Sequence, residues 1–133
     1  MNGLNSSRII SFAVVLLVVH VLIGALIPGF REYEEPGARS FWLVTEYLVQ
    51  AAIEIAIFVR LARVQARLLY VHVICVVVLS ELLGFAVMFA LVGHLLTSPL
   101  MVTVLDYSVF AVATVIGTEI GRRLRVAAEK KPS

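Results

Sequence analysis

Four long apolar runs, at residues 9–27, 41–59, 68–92 and 101–121, take up most of this chain and constrain its fold more than any other feature. Each is near or above the ~17–25 residues a helix needs to cross ~30 Å of hydrocarbon. Apolar residues make up 61% of a 133-residue chain, so four spans leave no room for a separate soluble domain. The sequence therefore predicts an all-α integral membrane protein, a bundle of four transmembrane helices. It would form a single domain over residues 1–133, ending in a basic tail at 122–133.

The breaks between runs carry turn-forming pairs, Pro28-Gly29, Pro36-Gly37 and Ser98-Pro99. The first run is longer than the ~7–15-residue apolar segment of a signal peptide, and no small-residue cleavage motif follows it. It reads as a retained span. The lone cysteine, Cys75, excludes an internal disulfide or a cysteine-based metal cluster, and packing is its expected role.

Charge placement sets the expected topology. All but two of the 11 Lys and Arg residues, Arg31 and Arg39, flank the runs on one side. Arg8, Arg60, Arg63, Arg67, Arg122, Arg123, Arg125, Lys130 and Lys131 mark that side as cytoplasmic, so both termini are expected inside a bacterial-type inner or plasma membrane. The loop carrying Glu32, Glu34 and Glu35 would then face outward, and Trp42, Tyr47, Tyr107 and Tyr70 fall at interfacial depths. The isoelectric point near 9.0 reflects these flanking residues, not a nucleic-acid surface.

The acids are placed differently. Glu46, Glu54, Glu81, Asp106 and Glu119 lie inside the apolar runs, where a charge costs ~2.5–3.5 kcal/mol at a helix centre. Glu119 stands one turn from Arg122 and Arg123 and is expected to pair with them. No Lys or Arg accompanies the other four inside the runs, so each must be protonated, hydrated, cation-bound or hydrogen-bonded. Counting residues from the nearest cytoplasmic Arg puts His20, Glu46, Glu81 and Asp106 at ~18–24 Å, which suggests one polar layer. Glu46, Gln50 and Glu54 share one helix face at i, i+4 and i+8, and Glu54 falls near the level of His72 at ~8–9 Å. His72 and Glu81 are half a turn out of phase, so one of them, more naturally His72, would be peripheral. In the last run Ala113, Gly117 and Gly121 form a small-residue face for close helix packing.

Three functional classes fit these residues. A structural or accessory subunit of a membrane assembly needs only interhelical hydrogen bonds from its acids, each worth ~0.6–2 kcal/mol. A proton- or cation-coupled transporter or channel would use Glu46, Gln50, Glu54, Glu81 and Asp106 as its path. A divalent-metal protein would use His20, Glu46, Glu81 and Asp106, although the paired Glu-x-x-His motifs of di-iron bundles are missing. Haem ligation by His20 and His72 is disfavoured by their ~10 Å difference in depth, so no cofactor is expected apart from such a metal. No P-loop, H-E-x-x-H, G-x-S-x-G or dinucleotide motif points to an enzyme. The expected partners are the lipid bilayer and either further copies of the chain or a larger membrane complex, with no nucleic acid.

Residues 54–60, Glu-Ile-Ala-Ile-Phe-Val-Arg, together with Asp106-Tyr107-Ser108, resemble the phosphate-starvation-inducible membrane family called PsiE. That family is also small and four-spanning, with a Glu in its second span. Glu81 stands where the family tends to have a basic residue, and no activity or site residue is carried over from it.

Overall fold

Among the described residues the chain forms four α-helices: α1 (Ser6–Leu26), α2 (Pro36–Val64), α3 (Leu69–Val92) and α4 (Leu100–Glu129). The structure is a computed structural model and describes residues 5–26, 36–93 and 100–130. The expected Pro28-Gly29 and Ser98-Pro99 turns and the acidic loop lie outside the described residues. Three helices are long and apolar enough to cross a membrane, over Ser6–Ile23, Leu69–Leu91 and Val102–Glu129. α2 is more polar, because Glu46, Gln50 and Glu54 share it with Arg60 and Arg63.

Two helices outrun their apolar cores. Pro36 does not break the chain but opens α2, where a missing N–H costs nothing and the fixed φ suits the first turn. At its other end α2 continues past Arg60 and Arg63 to Val64. α4 likewise carries the first part of the basic tail as helix to Glu129, with Glu119–Arg123 and Arg125–Glu129 bridging successive turns.

Packing divides the bundle into two closely associated pairs, α2 with α4 and α1 with α3, joined mainly through α1 and α2. Glycine explains the first pair. A Cβ at Gly117 would lie 2.7 Å from the Ile55 carbonyl oxygen, and one at Gly121 would lie 2.5 Å from that of Val59. Only hydrogen fits at either position, so the two backbones approach closely. Ala113 continues the seam and is buried. Phe58, Leu61 and Ala62 of α2 meet Ala13 and Leu16 of α1 and Val73 and Val76 of α3 in one apolar core.

The basic ends of the helices are tied around the end of α2. Its last carbonyls lack intrahelical donors and carry the negative end of the helix dipole. The Arg125 guanidinium donates to the carbonyls of Ala62 at 2.8 Å and Gln65 at 2.5 Å. Arg8 donates to the Val64 carbonyl at 2.7 Å and to Gln65 Oε1 at 3.0 Å. Leu68 turns the chain into α3 in the left-handed conformation, with φ 51° and ψ 39°.

His72 closes this end and is not peripheral as its phase suggested. It is fully buried. Its Nε2 accepts from the Asn5 backbone N–H at 3.0 Å, which leaves Nδ1 to donate to the Leu68 carbonyl at 3.0 Å. The first turn of α1 lies over it, a long-range contact that a helical wheel does not contain.

Candidate functional site: an acid-lined cavity above a buried histidine–glutamate pair

All four helices contribute to one open cavity of about 400 Å³ on the side of the core away from the basic end. Its polar wall comes from His20 of α1, Glu46 and Gln50 of α2, Glu81 of α3 and Asp106 of α4. Phe85, Tyr107 and Phe110 supply aromatic surface. The residues expected to form one polar layer therefore do share one space, but they occupy it in two tiers.

The inner tier is a pair that residue counting missed. His20 Nε2 lies 2.6 Å from Glu54 Oε1, and Glu54 is fully buried. Gln50 Nε2 donates to the same oxygen at 2.9 Å, as the shared face of α2 allows. Phe110 packs edge-on against the imidazole at 5.7 Å and fixes its plane. The other carboxyl oxygen, Oε2, is buried with no hydrogen-bond partner among the described residues. A lower Glu54–His72 pair is excluded by the partners that each residue has.

The outer tier pairs acids with tyrosines. Tyr47 of α2 donates to Asp106 Oδ1 of α4 at 2.5 Å, and Tyr107 of α4 donates to Glu81 Oε2 of α3 at 3.1 Å. Asp106 thus projects toward α2, on the packed side of α4. Glu81 is half-buried and also lines an apolar groove between α1 and α3, which shares His20 and Phe85 with the main cavity. Glu46 makes no hydrogen bond or ion pair among the described residues. Glu119 lies apart from the cavity, held by Arg122 at 2.7 Å and Arg123 at 2.9 Å.

The two tyrosines were read from sequence only as interfacial aromatics. The signal that marks them is local: Glu46-Tyr47 and Asp106-Tyr107 are matching acid–tyrosine pairs on helices that run in the same direction.

The arrangement can do two things chemically. Oε1 of Glu54 is held by both Gln50 and His20, so Oε2 is the carboxyl atom with capacity left for a further hydrogen bond. The carboxyl oxygens above it, set beside the aromatic faces of Phe85, Tyr107 and Phe110, can accept hydrogen bonds within the cavity. The four metal-donor candidates share the cavity without converging on a point. Among the described residues, no group of three or more His, Cys, Asp or Glu is placed to hold a metal ion.

Comparison with known proteins gives no match: no family model, curated protein or solved structure resembles the chain closely enough to assign it. What fold and site define is a class, a membrane-compatible helical bundle with an acid-lined cavity. The resemblance to the PsiE family finds no support in these comparisons.

Proposed function

We propose that this is a small multi-pass protein of the cell membrane that takes up a proton or small cation in its acid-lined cavity. All four helices cross the bilayer in this reading, including α2, whose polar face is turned into the bundle. Both termini lie in the cytoplasm, following the bias of Arg and Lys to the ends tied around Gln65. The observation that carries the proposal is Glu54, a fully buried carboxyl with one oxygen held by His20 and Gln50 and the other unpartnered. An orphaned buried polar atom costs ~1–3 kcal/mol, a cost that a ligand taken up beside Oε2 would relieve. The experiment is ion or proton flux into liposomes containing the purified chain. Flux that Glu54→Gln abolishes supports the reading, and flux that persists in Glu54→Gln sinks it.

The accessory-subunit reading is favoured by a separate observation. α3 packs only slightly against α2 and leaves Leu82, Phe85 and Phe89 exposed beside Glu81, a face that a partner helix would cover. The Gly117–Gly121 face does not serve that role, because α2 of the same chain occupies it. Absence of flux, together with a larger complex in native mass spectrometry, supports this second reading.

A further inference from the structure

Away from the acid-lined cavity and the α1–α3 groove, α1 and α2 leave a further opening between them, of about 430 Å³. Its walls are apolar along most of their length, from Phe12 and Val15 on α1 and Ile53, Ala56 and Ile57 on α2. One end differs: there the groove is bounded by Ser11 and Arg60. Arg60 is exposed and has no ion-pair or hydrogen-bond partner among the described residues, unlike Arg8 and Arg125, whose guanidinium groups are spent on the carbonyls that end α2. No acid among the described residues lines the groove.

Depth identifies the ligand chemistry. Arg8 bonds Val64, which brings the start of α1 level with the end of α2. Ser11 is then ~4.5 Å and Arg60 ~6 Å inward from that level, the zone of lipid phosphate and glycerol once the long side chain reaches outward. Ile53 lies ~10 Å deeper, in hydrocarbon. A lone cation and a hydroxyl at headgroup depth, continuous with an apolar slot running inward, match one anionic headgroup and one acyl chain. A helix of a second copy fits less well, because it would bury Arg60 without an anion.

We infer that the α1–α2 groove is a binding site for an anionic phospholipid, with Arg60 and Ser11 on the phosphate and the acyl chain along Phe12, Ala56 and Ile57. The site is independent of the cavity chemistry.

The test uses the full chain in micelles. Native mass spectrometry compares bound phosphatidylglycerol with phosphatidylcholine of the same acyl chains. The wild type is expected to prefer the anionic lipid, and Arg60→Gln to lower that preference about fivefold, the effect of one basic residue near an anionic headgroup. Arg60→Lys should keep most of the preference, which separates lost charge from lost folding. Ala56→Trp fills the slot and should lower the binding of both lipids there, whereas Arg63→Gln should change little. Equal binding of the two lipids by the wild type would overturn the proposal. So would equal losses in Arg63→Gln and Arg60→Gln, which indicate diffuse surface charge, or an Ala56→Trp variant that binds as the wild type does.

Discussion

At the scale of single residues, the buried Glu54 and the half-buried His20 form a pair between α1 and α2 whose strength depends on its alternatives. Removing His20 leaves the Glu54 carboxyl buried without that partner, but a membrane-embedded unfolded state offers other partners, which keeps interhelical couplings small. A double-mutant cycle on His20→Ala and Glu54→Gln should therefore return a coupling of about 0.6–2 kcal/mol, measured by reversible unfolding in mixed micelles. A coupling indistinguishable from zero would mean that the 2.6 Å contact carries no energy. Glu119→Gln is the contrasting case. Its partner Arg123 is exposed and Arg122 is half-exposed, so solvent screens the pairs and their loss should leave the unfolding midpoint nearly unchanged.

Among the elements, the α2–α4 seam gives the sharpest expectation. Gly117→Leu places side-chain carbon where the Ile55 carbonyl and Phe58 already stand, and the helices must separate. Overpacking of this kind costs about 1–3 kcal/mol, read as a lower unfolding midpoint. Gly84→Ala is the internal control, since its new methyl meets only Leu17 Cδ1 at 3.8 Å, an ordinary contact, and should be nearly silent. If both glycines tolerate substitution equally, the close approach of α2 and α4 is wrong. This seam was legible in the sequence, because four-residue spacing of small residues specifies one helix face without knowledge of the partner. Depth was not. Counting from Arg60 put Glu54 ~9 Å from the inner boundary, whereas α2 ends at Val64. Counted from there, Glu54 stands ~15 Å in, close to His20 at ~18 Å from Arg8, and the pair becomes natural. The charge of Arg60 marked the boundary of hydrocarbon, not the end of the helix, and α2 overhangs it by a turn. His72 was misplaced for a different reason: helical phase is measured about one helix axis, and the start of α1 covers His72 from outside that axis.

On the scale of the whole molecule, polarity is discontinuous. The acid-lined cavity reaches inward as far as His20 and Gln50, which bond the buried Glu54 behind them, and the cluster around Gln65 and His72 occupies the basic end. Between them lies the packed core of Leu16, Phe58, Leu61 and Val76, each fully buried, and the buried hydroxyl of Thr118, next to the Gly117 that meets Phe58, is an isolated polar group at this level among the described residues. A continuous pore would need water there, and water is excluded from apolar space that offers it no hydrogen-bond partners. In this conformation the bundle is therefore open on one side only, and any passage of ions requires the core to rearrange. Two outcomes follow. The wild-type chain should show no steady channel conductance in planar bilayers even where liposome uptake is measurable, since uptake through a rearranging core is slow and saturable. Leu61→Ser, which puts a hydroxyl in the middle of the barrier, should raise proton leak into pH-loaded liposomes above the wild-type rate. The access side is checked separately with cysteine variants in a Cys75→Ala background. Gly93→Cys should react with an impermeant maleimide added to intact cells, and Ala127→Cys should react only after lysis. If Ala127→Cys is labelled from outside, the orientation inverts and the cavity opens toward the cytoplasm. If Leu61→Ser leaves the leak unchanged while remaining folded, the core is not the barrier, and the route between Glu54 and the basic end must pass elsewhere in the bundle.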